Sequence, residues 1–396
     1  MQKIIPYGRQ NITSEDIDAV VEVLKGDFLT QGPKIEEFEL AFAKYTGSKY
    51  AVAVANGTAA LHLCTLALNV KKGDKVITTP ITFSASANCV RYCGGDVVFA
   101  DIDPETYLLD FKSVKALLEA SPMGTYSGII PVDFAGRAVN LEKFAQLARQ
   151  YDLWIIEDAC HAPGGYFIDQ NLQQQNCGNS AFADLAIFSF HPVKHIACGE
   201  GGMITTNNPA LYQSLLKLRT HGITRNSEAF KNTASFAAGE TAMDYPGWYM
   251  EMQELGYNYR LTDFQAALGL SQLQRADVGL ARRREIAKKY EQVFAGKGFI
   301  KSQSGYIDGH AYHLYVIEVE NRLGLYKHLR EANIFPQVHY IPVHLMPYYK
   351  QFGCKEGDFG HAEEYYKNCI SLPIYPTLTD EEQSFVIETI NSFYIE

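Results

Sequence analysis

Residues 153–161 read Leu-Trp-Ile-Ile-Glu-Asp-Ala-Cys-His. A short apolar run that ends in two acids is the pattern of a strand buried on both faces, with its carboxyl end opening on polar residues. Leu153–Ile156 is one of seven such runs. The others are Ala51–Val54, Lys75–Thr78, Val97–Ala100, Gly128–Val132, Ala186–Phe190 and Met203–Thr205. Helical stretches near 57–69, 84–93, 110–119, 140–150 and 208–219 separate most of them. This alternation predicts an α/β unit with a doubly wound, largely parallel sheet. Ligands of such sheets bind beyond the carboxyl ends of the strands, so the residues just after each strand matter most.

Outside this unit the pattern changes. Thr13-Ser14-Glu15-Asp16 has the form of a capping box, and Ile17, Val20, Val21 and Leu24 follow it at helical spacing. Gly26 ends that helix. Gly32-Pro33 marks a turn, and a second helix runs from about Ile35 to Tyr45. Residues 223–250 read as a long irregular loop, of a length that often serves function. A long helix starts near Thr262 and continues, with a break, past Ala281. It leads into a smaller unit at about 285–396, with a strand at Leu314–Val319 and helices near 322–332 and 380–392. The expected division is therefore 1–262, the large unit with its N-terminal helices, and 263–396, the connecting helix and a small α+β unit.

Bulk properties agree with two packed units. The chain has 396 residues, 47% of them hydrophobic, too many for one core of ordinary size. A formal net charge of −10 argues against a nucleic-acid binder. No apolar run reaches membrane-spanning length, and Met1–Pro6 lacks the apolar core of a signal peptide, so a cytoplasmic protein is expected. The eight cysteines include no Cys-x-x-Cys pair and read as free thiols.

Four segments could carry chemistry. Asp158, at a strand end, can hydrogen-bond a protonated ring nitrogen, as an electron-sink cofactor requires. Ser189 follows another strand end and could hold a phosphate. Lys194 lies five residues on, ahead of Gly199-Glu200-Gly201-Gly202, and lysine is the residue that makes imines with carbonyl cofactors. Gly57-Thr58 would open a helix directly after a strand, where free N–H groups make a phosphate site. Phe83 follows the next strand and could stack on a flat ring. Gly256–Asp263 is a polar loop before a helix cap. His339 and His344 lie five residues apart across Pro342, no third ligand is evident, and no metal is expected. Each segment alone is an ordinary strand end or loop. Their convergence at one edge of one sheet points to a single site.

In order along the chain, GDFLTQGPKIEE (26–37), NGTAAL, EDACHA, SFHPVKHIACGEGG, GYNYRLTDFQAA, HYIPVH and SLPIYP resemble the sugar aminotransferases of the DegT/StrS type. The resemblance runs nearly end to end. It implies the aspartate aminotransferase (type I) fold, pyridoxal 5'-phosphate with pyridoxamine 5'-phosphate as its alternate form, and a homodimer with shared sites. Lys194 matches the Schiff-base lysine, Asp158 the acid on the pyridine nitrogen, and His161 the group beside the phenolic oxygen. Gly57, Thr58 and Ser189 match the phosphate contacts. Phe83 matches the stacking aromatic, and Asn258 the residue that reaches the neighbouring subunit's phosphate. His195 departs from the common pattern and is expected to face away from the cofactor.

Ile5–Gln10, Phe28–Pro33 and Gln337–Tyr349 are similar to a narrower branch. Its members aminate C4 of a UDP-linked 4-keto-6-deoxy-N-acetylhexosamine in pseudaminic-acid synthesis, with L-glutamate as donor. Tyr7, Thr30, Gln31 and His339 are the substrate contacts this implies. The alternatives are another nucleotide keto-sugar or a non-catalytic cofactor-binding regulator. A pyridoxamine-dependent dehydratase of the same fold typically lacks the lysine that this chain has at 194.

Overall fold

The computed structural model describes residues 4–395 except 240, 304 and 306; Met1–Lys3, the start of the segment read as lacking a signal-peptide core, lie outside them. Seven strands form the large sheet: β1 (Tyr50–Val54), β2 (Lys75–Thr78), β3 (Asp96–Phe99), β4 (Gly128–Ile130), β5 (Trp154–Asp158), β6 (Leu185–Ser189) and β7 (Gly202–Thr206). Their spatial order is β1-β7-β6-β5-β4-β2-β3. All neighbours pair in parallel except β7, which runs antiparallel to both β1 and β6. The expected α/β architecture is therefore present, with every expected strand at its place and one strand reversed.

The reversal has a local cause. Parallel neighbours need a long crossover. Between β6 and β7 lies only the segment 190–201, so the chain returns beside itself. Ser189 pairs with Gly202, Phe190 N–H donates to Gly201 O at 2.8 Å, and Cys198 N–H to Phe190 O at 3.0 Å.

Alternate residues along the strands enter opposite cores, as the two-residue period dictates. Val52, Val54, Ile187 and Ile204 pack on one face with Leu61 and Leu63. Ala51, Ala53, Phe188 and Met203 pack on the other with Phe38 and Phe42. Both faces are covered, which is why these strands read as unbroken apolar runs.

The N-terminal capping box is present, with Thr13 N–H donating to the Asp16 carboxylate at 2.9 Å. Asp16 is fully buried because it also ties its helix, α1 (Ser14–Lys25), to Ser271, Gln272 and Arg275 of the long helical region. Pro33 is the first residue of α2 (Pro33–Thr46) rather than a preceding turn, which suits its missing N–H. The expected break in the long helix falls at Arg275, between Asp263–Gln274 and Ala276–Phe294. Residues 223–250 are more organised than a free loop. Ile223–Thr224 pairs with Glu251–Met252, and a short helix, Ala234–Ala238, lies between.

The C-terminal residues build a three-stranded antiparallel sheet, with Tyr315–Val319 between Ile300–Ser302 and Cys369–Leu372. Its core includes Ile286, Ile317, Leu325, Ile370 and Val386, joined by Ile5 from the chain's start. Ile5–Pro6 pairs with Ile334–Phe335, so the next residues, from Tyr7, run back toward the large sheet.

Candidate active site

The helix α3 (Gly57–Ala67) begins three residues after β1. Asn56 caps it, its Oδ1 accepting the Ala59 N–H at 2.8 Å. The N–H groups of Gly57 and Thr58 have no partner within the helix and point a positive helix end at the space before them. That space must stay small-lined. A Cβ on Gly57 would lie 3.1 Å from the Ser189 Cβ, and a Cβ on Gly202 would lie 2.6 Å from Asn56 O. Glycine at 202 lets β7 pass directly beneath this turn.

Asp158 ends β5, buried beside the opening. One oxygen accepts the Ser86 hydroxyl at 2.6 Å and the other the Cys160 N–H at 3.2 Å. Ser86 in turn shares a 2.8 Å hydrogen bond with Thr82. The carboxylate is thus fixed in place, and its neighbour Glu157 points to the other face, as alternation requires. There Glu157 accepts the Gly178 N–H and clusters with Asp133 and Cys177. Burial pushes both of those carboxyls well above their usual range, so they favour holding protons.

Lys194 lies on the return loop between β6 and β7. Its amine is 3.5 Å from His313 Nε2. Burial lowers its pKa from the ordinary 10.5, against the opposing pull of Cys160 and Asp158. Four histidines surround it: His161, His195, His313 and His339. Burial holds all four below the usual imidazole range, His339 down to about 3, and the lysine charge adds to this in each case. They are neutral rings at neutral pH. His161 Nδ1 accepts the Ala135 N–H at 3.2 Å, so its proton sits on Nε2, which meets the Tyr340 hydroxyl at 3.2 Å.

Of these groups, Ser86, Asp158, His161, Lys194, His339 and Tyr340 line one cleft of about 810 Å³. Of the residues singled out from sequence, Gly57, Thr58, Ser189, Asp158, His161 and Lys194 all face it. So do Phe83, Tyr7 and His339. Phe83 is 61% exposed at the rim, leaving its ring free to stack on a flat ligand. Asn258, Thr30 and Gln31 lie outside this lining. Asn258 bridges Thr220, Thr30 bridges Thr262, and Gln31 takes a left-handed backbone with φ 58°. His195 lines a separate cavity of about 310 Å³ on the other side of the lysine loop, with Arg9, Gln272 and Arg283. His344 turns away from His339 to pair with Glu363 at 3.0 Å.

Sequence reasoning missed Ser86, His313 and Tyr340. Ser86 sits four residues from the Thr82 it bonds, a helical spacing that was readable. The other two reach the site only through tertiary contacts.

The donor set fits pyridoxal phosphate: a helix N-terminus and hydroxyl for the phosphate, a fixed carboxylate for a ring nitrogen, and a buried amine across the same cleft. A model of the DegT/DnrJ/EryC1/StrS aminotransferase family matches residues 10–391. The spore coat polysaccharide biosynthesis protein SpsC of Bacillus subtilis is 38% identical over 395 residues, covering 98% of this chain and 96% of its own. The UDP-4-amino-4,6-dideoxy-N-acetyl-beta-L-altrosamine transaminase of Campylobacter jejuni is 34% identical over 397 residues, 98% of this chain and 97% of its own. Helicobacter pylori PseC, described as an aminotransferase involved in the biosynthesis of pseudoaminic acid, superposes with a TM-score of 0.86 at 28% identity, covering 99% of this chain and all of that one.

Proposed function

The chain belongs to the DegT/DnrJ/EryC1/StrS aminotransferase family, and from that membership we propose that it moves an amino group from L-glutamate to C4 of a UDP-linked 4-keto-6-deoxy-N-acetylhexosamine. It is a pyridoxal-phosphate-dependent sugar aminotransferase. The observation that carries the chemistry is the placing of Lys194 and Asp158 on one cleft whose far end is the Gly57-Thr58 helix start.

The cofactor supplies an aldehyde that takes up and returns the amino group, and a pyridinium ring that withdraws electrons from the bond being broken. Gly57, Thr58 and Ser189 hold its phosphate. Asp158 holds a proton on its ring nitrogen, and Ser86 keeps that carboxylate aimed. His161 donates from Nε2 at the ring's oxygen side and is steadied by Ala135 and Tyr340. Lys194 Nζ, with its lowered pKa, would take the proton from the amino-acid carbon and pass it to the carbon that bore the cofactor's aldehyde; in the second half-reaction it would move the proton the other way. Phe83, exposed at the rim of the cleft, would cover a ring face of the bound cofactor and keep water from it.

The Campylobacter jejuni and Helicobacter pylori relatives support the C4 keto-sugar, as does the likeness of Gln337–Tyr349. The higher identity to SpsC favours a second reading, an aminotransferase for a different nucleotide keto-sugar. A half-reaction separates them. The protein is converted with glutamate, freed of donor, and given UDP-keto-sugars one at a time while the lysine-bound cofactor's absorbance is followed. Recovery with the 4-keto-6-deoxy-N-acetylhexosamine is expected. Recovery only with another sugar overturns the substrate and leaves the chemistry.

Asn258 lies outside its own chain's cleft, which suits a homodimer in which it serves the neighbouring site; a cytoplasmic location remains part of the proposal. Mixing Lys194→Ala and Asn258→Ala chains should then restore activity to one site per pair. Two inactive variants that fail to complement would oppose the shared site.

A further inference from the structure

His313 is 4% exposed and stands in the turn leading into the strand Tyr315–Val319, over a hundred residues from Lys194 in sequence. Its Nε2 faces the Lys194 amine at 3.5 Å. Its Nδ1 is buried and has no hydrogen-bond partner among the described residues. A buried ring nitrogen without a partner is uncommon and asks for a reason. The ring packs against two tilted imidazoles, His161 at 4.4 Å between centroids and His195 at 5.8 Å. Gly136 packs against the backbone here, where a Cβ would come within 2.9 Å of the His313 nitrogen. Among the described residues, the only hydrogen-bond contact the side chain makes is with the lysine.

We propose that His313 is the positioning residue for Lys194: its Nε2 lone pair accepts a hydrogen bond from Nζ and stabilises the protonated amine while that amine carries a proton between two carbons. The C–H bond at the first carbon breaks as N–H forms at Nζ, that N–H breaks as C–H forms at the second carbon, and no covalent bond to His313 forms or breaks. The inference rests on Lys194 being the working amine of the proposed reaction. Burial and the lysine charge keep the imidazole neutral, so the lone pair is available. Accepting at Nε2 places the ring proton on Nδ1, a buried N–H with no acceptor among the described residues, a cost that the contact with Lys194 must offset. The other groups facing the amine are Asp158, Cys160, His161, His195 and His339. Asp158 is already engaged by Ser86 and Cys160. His161 uses Ala135 and Tyr340, and His339 bonds Ser371 at 2.8 Å. His195 Nε2 also has no partner among the described residues, but its ring lines the separate cavity, and His313 is the ring whose nitrogen comes within hydrogen-bond distance of Nζ.

The test reads the amine itself in the full-length protein freed of cofactor. The pH dependence of Lys194 acylation by acetic anhydride, followed by mass spectrometry, gives its pKa in wild type, His313→Phe and His313→Gln. Phe removes the acceptor, so the lysine pKa should fall by about one unit. Gln offers a carbonyl oxygen and should restore most of it, together with kcat in the reloaded enzyme. An unchanged pKa in His313→Phe, or an equal fall in His313→Gln, overturns the proposal. Should neither variant fold, the wild-type chain still decides. The ¹⁵N signal of His313 Nε2 should follow the lysine titration and lose that step in Lys194→Met, and independence of the two overturns it.

Discussion

Asp158 and Lys194 share one cleft but are held in opposite ways. The acid sits at a strand end, tied by the Ser86 hydroxyl and the Cys160 N–H, with Thr82 behind Ser86. The amine sits on a loop among neutral imidazoles, with one hydrogen-bond contact among the described residues, at 3.5 Å. The difference follows from what each group must do. A counter-charge works best when held in place, because a preorganised charge needs no rearrangement during the reaction. A base must change protonation state and travel, so it gains from few ties and from surroundings that weaken its hold on a proton. One site can contain both because they come from different kinds of segment, a strand terminus and a return loop.

The contrast can be broken from either side. Lys194→Ala removes the mobile member, and no multiple-turnover activity should remain while circular dichroism and melting stay those of a folded chain. Measurable sustained turnover in that variant would remove the base role. Asp158→Asn keeps the shape but drops the fixed charge. It should still bind cofactor, yet lose roughly 10²- to 10³-fold in kcat; near-normal turnover would show that the ring nitrogen needs no charge partner. Ser86→Ala leaves both groups but loosens the acid. A loss of roughly tenfold in kcat, about 1.4 kcal/mol, is expected, with little change in KM. A pure KM effect would mean that Ser86 shapes the cleft and does not aim the carboxylate.

The smallest effect sharpens the comparison through stability. The folded chain depresses the Lys194 pKa below 10.5, so the unfolded chain binds that proton more tightly. Stability therefore rises with pH between the lowered value and 10.5, and the penalty is complete below that window. Lys194→Met should stabilise the cofactor-free protein by roughly 0.5–2 kcal/mol at pH 7. The gain should shrink as pH approaches 10.5. Urea unfolding at several pH values measures it, and a gain independent of pH would assign the effect to packing instead.

The fold was legible because both faces of the sheet are buried. Runs such as Lys75–Thr78 and Ala186–Phe190 have no polar alternation to blur them, and the strands fall within a residue or two of the reading. The reversed direction of β7 could not be read from its own residues; it follows from the short return through 190–201. The site was legible where function sits next to a strand in sequence, as at Gly57, Asp158 and Ser189. It was not legible at His313 or Tyr340, whose own neighbourhoods, Ala311–Leu314 and Val338–Pro342, carry no strand-end signal. These side chains become part of the site only when the small sheet packs against the large one. The loop at 223–250 looked structureless because its organising pairs are two residues long, below what periodicity can detect.

The pairing of Ser189 with Gly202 makes residues 190–201 a closed excursion whose entry and exit are locked side by side in the sheet. In engineering terms the lysine is mounted on a removable cartridge. Both sockets belong to the framework, so another segment of the same span could replace it provided that it kept the buried Phe190, Ile196 and Cys198, which pack into the core beside the sheet. A chain that loses or alters its lysine within such a cartridge keeps everything else needed to hold the ring and its phosphate, and new chemistry in this scaffold can begin with a change confined to a dozen residues.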